Sequence, residues 1–162
     1  YVSIRLLAER FGDRALVGAG TVTAVPEVKS VKEAGGRLVV MPHCDTEVVR
    51  ASKVEGLAAA PGVATPTEAF AALAAGADAL KLFPAEMIPP KAIGAMRAVL
   101  PKETRVLPVG SITPEIMPAY HAVGANGFGL GSALYKAGRP VQDVAARARD
   151  FIAAWRALAQ AS

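Results

Sequence analysis

Ala79-Leu80-Lys81-Leu82-Phe83-Pro84-Ala85 is an apolar run interrupted by a single charge, with Gly76 ahead of it and Pro84 near its end. Its length and flanks predict a buried strand. On a strand, Ala79, Lys81 and Phe83 share one face, while Leu80 and Leu82 share the other. A lysine in that setting loses water, which disfavours its charged form and improves its amine as a nucleophile toward carbonyls. Lysine is seldom buried, so the position requires a reason. The alternative is a strand-end lysine that snorkels to solvent or pairs with a carboxylate.

The same kind of run recurs at 15–20, 38–42, 57–62, 106–110 and 127–131. Amphipathic segments fill the gaps and predict helices near 25–34, 45–55, 66–75, 89–100, 114–123 and 140–159; Val2 to Phe11 reads as a further helix. Thr65 can cap a helix with Pro66 at its first position and Glu68 completing a capping box, and Thr113-Pro114-Glu115 repeats the cap-then-proline pattern. Gly35, Gly76 and Gly124 supply stops.

Strict alternation of continuous apolar strands with helices predicts a parallel sheet covered by helices. An open doubly wound sheet and a (β/α)8 barrel both satisfy it. Polar or glycine-rich residues end nearly every strand, which suits a barrel mouth fed by all its loops. About six strands are visible, whereas a complete barrel usually takes upwards of about 200 residues. The reading is therefore a single (β/α)8 barrel domain over residues 1–162, incomplete at its N-terminus by about one and a half βα units.

Composition narrows the function. The chain has 162 residues, is 52% hydrophobic, and carries 18 Lys and Arg against 14 Asp and Glu, for a net charge of +4. No uninterrupted apolar stretch approaches a membrane span, and Tyr1-Val2-Ser3-Ile4-Arg5 has no export-signal architecture. The single cysteine, Cys44, permits no internal disulfide and fits a reducing cytoplasm. The basic residues are scattered and aromatics are few, which argues against nucleic acid and for a small anionic substrate.

Chemistry can be sought where strands end. Gly18-Ala19-Gly20-Thr21-Val22 offers close backbone approach and a hydroxyl that can bind a carboxylate. Val109-Gly110-Ser111 and Gly129-Leu130-Gly131-Ser132 end the last two strands, where barrels often hold a phosphate on backbone N–H groups. Met41-Pro42-His43-Cys44-Asp45 places three ligating side chains in a row, but neighbours on a turn rarely converge on one ion, so no metal is expected. Glu68 reads as a cap and Glu86 as a solvated loop residue that could touch the mouth. Phe151 and Trp155 read as core or subunit contacts.

The ordered series Val17-Gly18-Ala19-Gly20-Thr21-Val22, Pro61-Gly62-Val63-Ala64-Thr65-Pro66-Thr67-Glu68-Ala69-Phe70, Leu80-Lys81-Leu82-Phe83-Pro84-Ala85 and Gly127-Phe128-Gly129-Leu130-Gly131-Ser132 resembles the class I aldolases that cleave 2-keto-3-deoxy-6-phospho sugar acids. The resemblance covers essentially the whole chain. It implies a homotrimer of (β/α)8 barrels, no cofactor, and Lys81 as the residue forming a Schiff base with the substrate's keto carbon. It further implies that Gly20 and Thr21 hold the pyruvate carboxylate and that Pro42, Phe83 and Val109 line the substrate pocket. Gly110, Ser111, Gly131 and Ser132 would hold the phosphate. Two departures follow. Ser111 stands where the family usually has a second glycine. The family's catalytic glutamate and carboxylate-binding arginine fall upstream of Tyr1, so the chain as written is expected to lack part of its machinery. Val109, where gluconate-type enzymes tend to have threonine, and the Ala-Thr-Pro-Thr-Glu-Ala-Phe stretch resemble the galactonate branch. The expected substrate is 2-dehydro-3-deoxy-6-phosphogalactonate. The gluconate epimer and a non-catalytic phosphosugar-binding barrel are the alternatives.

Overall fold

The computed structural model describes residues 1–160 and is an α/β fold with parallel strand ladders. It divides into two compact units, the first ending at Lys81 and the second beginning at Leu82. The division falls inside the strand that carries the lysine.

The first unit runs α1 (Val2–Phe11), β1 (Gly18–Ala19), α2 (Val25–Glu33), β2 (Leu38–Val40), α3 (Thr46–Val54), β3 (Ala58–Ala60), β4 (Gly62–Val63) and α4 (Pro66–Ala74), and enters β5 (Leu80–Leu82). The ladder β1-β2-β3 is parallel, with Gly18 opposite Leu38 and Val39 opposite Ala59. Alternation along β2 and into the residue that follows it buries Val39 and Met41 completely. They join Val28 and Val31 of α2, Val48 and Val49 of α3, and Leu57 in one core cluster. Burying each such side chain contributes about 1.5–3 kcal/mol relative to leaving it exposed. Lys53 and Asp78 tie the start of β3 to the approach to β5. The Lys53 ammonium lies 2.6 Å from the Asp78 carboxylate, which also accepts the Ala59 N–H at 2.8 Å.

The capping predicted at Thr65 is present in full. Its hydroxyl accepts the Glu68 N–H, and the Glu68 carboxylate accepts from the Ala64 and Thr65 N–H groups. Glu27 does the same work for α2, accepting the Thr23 and Ala24 N–H groups at 2.7 and 3.0 Å. The stop glycines Gly35, Gly76 and Gly124 all adopt left-handed φ, which a side chain would resist.

The second unit continues from the end of β5 through a single 3₁₀ turn (Ala85–Met87), α5 (Pro90–Arg97), β6 (Val106–Pro108), α6 (Met117–His121) and α7 (Val141–Gln160). The helix expected from 114 begins only at Met117. Pro118 has no N–H to return to the Pro114 carbonyl, so an α-helix from 114 would lose that bond, and the chain makes a turn there instead, with the Ile116 N–H donating to the Thr113 carbonyl at 3.2 Å. The run at 127–131 is reduced to one parallel bridge between Val109 and Gly129. Three glycines in five residues leave little to pack and much backbone freedom to lose. In α7, Phe151 is buried, and the Trp155 ring meets Phe128 edge-on at 6.0 Å and His121 at 5.5 Å. Among the described residues no helix is long and apolar enough to cross a membrane.

Candidate active site

Lys81 sits where the period-two reading of its strand puts it. Leu80 and Leu82 are fully buried, whereas Ala79, Lys81 and Phe83 on the opposite face are half-buried. The Lys81 N–H donates to the Pro61 carbonyl at 2.9 Å, which fixes the strand and hence the direction of the side chain. Burial holds the amine below the 10.5 of an ordinary lysine. More of it is therefore neutral near physiological pH, and only the neutral amine attacks a carbonyl.

Gly20, Thr21 and Pro42 share the first unit with Lys81 and occupy the C-terminal ends of β1 and β2. The Val22 N–H donates to Val40 at 3.2 Å and the Met41 N–H to Ala60 at 3.1 Å, so these strand ends remain in register past the ladder. Thr21 is exposed and has φ of +60°, unusual for a β-branched residue. The neighbouring His43-Cys44-Asp45 triplet is dispersed into separate structural tasks. Asp45 caps α3 by accepting the Glu47 and Val48 N–H groups, and the Cys44 thiol donates to the Glu68 carbonyl at 3.4 Å. Burial, then the Glu68 and Asp45 charges, push the Cys44 thiol up, away from the thiolate a nucleophile needs. Among the described residues no cluster of metal-ligating side chains forms.

The remaining expected residues share one cleft in the second unit. It has a volume of about 260 Å³ and is lined by Phe83, Val109, Gly110, Ser111, Gly131 and Ser132, among others. Its chemistry lies in the backbone. The N–H groups of Ser111, Gly131, Ser132 and Ala133 donate to no protein acceptor among the described residues, whereas the Gly110 N–H is engaged by the Gly129 carbonyl in the parallel bridge. Orphaned amides around a concavity are an anion receptor, because each lacks the hydrogen bond a folded chain normally supplies. The turn carrying three of them is held from its other side. Leu134 and Tyr135 donate back to the Gly131 carbonyl, and the Arg139 guanidinium donates to the carbonyls of Ser132, Ala133 and Leu134.

Glu86 is exposed, as its loop position suggests, yet it is not merely solvated. The Ser111 hydroxyl donates to its carboxylate, and that bond, with one from its own backbone N–H, holds the acid below the usual carboxylate range. A β-carbon on Gly110, whose φ is +122°, would collide with the same carboxylate. Sequence spacing gave no sign of this pairing across 25 residues, nor of the Ala133 N–H.

A family model described as KDPG and KHG aldolase matches residues 2–147. The 2-dehydro-3-deoxy-6-phosphogalactonate aldolase of Escherichia coli K12 is 43% identical over 98% of this chain and 77% of its own length. A probable 2-dehydro-3-deoxy-6-phosphogalactonate aldolase of Rhizobium meliloti is 45% identical over 88% of this chain and 68% of its own. A solved structure described as native KDPGal superposes with a TM-score of 0.95 at 43% identity, covering 98% of this chain and 77% of that one. A lysine strand, a glycine-lined cleft and near-complete coverage by such relatives lead to one assignment: the chain belongs to the KDPG and KHG aldolase family.

Proposed function

We propose that this chain is a class I aldolase that cleaves 2-dehydro-3-deoxy-6-phosphogalactonate to pyruvate and glyceraldehyde 3-phosphate through a Schiff base on Lys81. The observation that carries the reading is the half-buried Lys81 amine, which desolvation holds below the ordinary lysine range. The choice of sugar acid is supported by the two relatives of that name at 43% and 45% identity.

The Lys81 amine adds to the C2 carbonyl, and loss of water gives a protonated imine. The C4 hydroxyl loses its proton to a base, the C3–C4 bond breaks, and its electron pair moves into the imine to form an enamine. Protonation at C3 and addition of water then release pyruvate and restore the amine. Within the chain, Glu68 is committed to its cap and Glu86 to Ser111. Gly20 and Thr21 bind the substrate carboxylate, Pro42, Phe83 and Val109 enclose the carbon chain, and Gly110, Ser111, Gly131 and Ser132 take the phosphate. The four unpaired amides, of Ser111, Gly131, Ser132 and Ala133, support the last assignment. A (β/α)8 barrel as the complete single domain, a homotrimer as the assembly and a cytoplasmic location belong to the same reading.

The test is borohydride reduction in the presence of pyruvate, followed by intact mass and peptide mapping on the full-length protein. A reduced adduct on Lys81, absent from Lys81→Ala, is expected. Turnover by Lys81→Ala, or an adduct on another lysine, would overturn the assignment.

A further inference from the structure

The cleft in the second unit has a feature an anion site should avoid. None of its lining residues is cationic, and the single formal charge among them is the Glu86 carboxylate. Its placement is built rather than incidental. Glu86 lies on the 3₁₀ turn Ala85–Met87, which three hydrogen bonds fix. The Ala85 N–H donates to Val109 at 2.9 Å, and the Tyr120 hydroxyl donates to Ala85 at 3.1 Å and to Ile88 at 3.4 Å. Gly110 leaves open the space that a β-carbon would take from the carboxylate. The Ser111 hydroxyl, which would otherwise be free for a ligand, is donated to that carboxylate.

The consequence for a bound phosphate can be worked out. The orphaned amides attract it, while Glu86 repels it and withholds the Ser111 hydroxyl. If the hydroxyl turned to the phosphate, the carboxylate would stand unpaired beside a dianion. We infer that Glu86 is an affinity-limiting, specificity-determining residue of the phosphate cleft. It makes the cleft hold a phosphate more weakly than its amides alone would, so that the phosphate group by itself is a poor ligand and a phosphorylated product leaves readily. This rests on the phosphate assignment made above, and the experiment separates the two.

Inorganic phosphate is titrated calorimetrically into the full-length wild-type protein and into Glu86→Gln, with displacement by 2-dehydro-3-deoxy-6-phosphogalactonate. Glu86→Gln keeps an acceptor for Ser111 and removes only the charge. Phosphate is expected to bind the variant roughly three- to tenfold more tightly, the range for like charges a few ångströms apart in a solvent-exposed site. The gain should fade as salt rises, because screening acts on the charge and not on the amides. Glu86→Ala should shift affinity in the same direction. The same gain should persist in a Ser111→Ala background, which separates repulsion from a role through the hydroxyl. Unchanged or weaker phosphate binding by Glu86→Gln, or a gain abolished by Ser111→Ala, would overturn the inference while leaving the phosphate site standing. Phosphate that binds neither protein, or that the substrate fails to displace from either, would overturn the site and the inference together.

Discussion

Gly129→Ala should damage the fold by a single contact whose cost can be worked out. The Gly129 N–H donates to Pro108 at 3.0 Å, and the residue lies opposite Val109 in the lone parallel bridge. An added β-carbon would run into Val109 Cγ2, with Cγ1 at 3.1 Å and Cβ at 3.2 Å. Valine is branched at Cβ and stiff about χ1, so it cannot swing aside as a longer side chain would. Overpacking of this kind costs about 1–3 kcal/mol. The lower entropy of alanine in the unfolded chain returns about 0.4–1 kcal/mol. The net loss is about 1–2 kcal/mol, or roughly 2–8 °C in Tm for a chain of this size. Val109 and Gly129 both line the cleft, so phosphate binding should weaken as well. The decisive assay is a double-mutant cycle with Val109→Ala, read by urea denaturation. Removing the two methyls should restore most of the stability lost in Gly129→Ala, giving a coupling of about 1–2 kcal/mol. Additive losses, or a Gly129→Ala protein as stable as wild type, would refute the argument that these strand ends are locked by that contact.

Two further outcomes follow from the charges. The Lys81 amine titrates below 10.5 when folded, so between that lowered value and about 10.5 the unfolded chain holds a proton the folded chain has lost. Stability should therefore rise with pH across that window. Lys81→Met should be more stable than wild type at neutral pH, with the difference shrinking as pH climbs, and should yield no pyruvate; a pH-independent difference would sink the burial argument. For the α4 cap, Thr65→Ala should cost about 0.5–2 kcal/mol in chemical denaturation. The Ala64 N–H, then the Thr65 hydroxyl and N–H, hold Glu68 below 4.5. Its contribution is thus complete above about pH 4.5 and disappears as pH falls through the lowered value. Glu68→Gln should flatten that acid loss, and an unchanged acid profile would count against the cap.

Legibility in the sequence followed the range of the interactions involved. Thr65 and Glu68 meet within one turn, so their pattern is local and the α4 start was readable to the residue. Period-two burial of Leu80 and Leu82 against Lys81 is equally local. The start of α6 was misplaced although its signal was present, because Pro118 vetoes the cap that Thr113-Pro114 advertises. The last strand was overextended because glycine-rich runs are apolar enough to read as strand while having nothing to pack. The Glu86–Ser111 bond, the Asp78–Lys53 pair and the Asn126 side chain accepting the Val106 N–H join residues 20 or more apart. No spacing rule reaches that far. The four orphaned amides are only half visible, since glycines mark where a backbone can approach a ligand but not which N–H groups are left without acceptors.

The backbone itself carries a last argument about the site. Among the described residues, only Thr21 and Ser111 adopt positive φ without being glycine, at +60° and +47°. Left-handed backbone costs an L-residue about 1–2 kcal/mol, and glycine would occupy both positions at no such cost. Strain of this kind persists where the surrounding structure imposes it, and the inference runs from the strain to a use for the side chain. At Ser111 the use is visible, since the hydroxyl is donated to Glu86. At Thr21 no hydrogen bond engages the hydroxyl among the described residues. Both residues are hydroxyl-bearing and exposed, and both stand at strand ends where the sequence had already suggested oxyanions. A fold that keeps two hydroxyls where glycine would sit more comfortably gives one to a carboxylate of the chain and leaves the other exposed at a strand end.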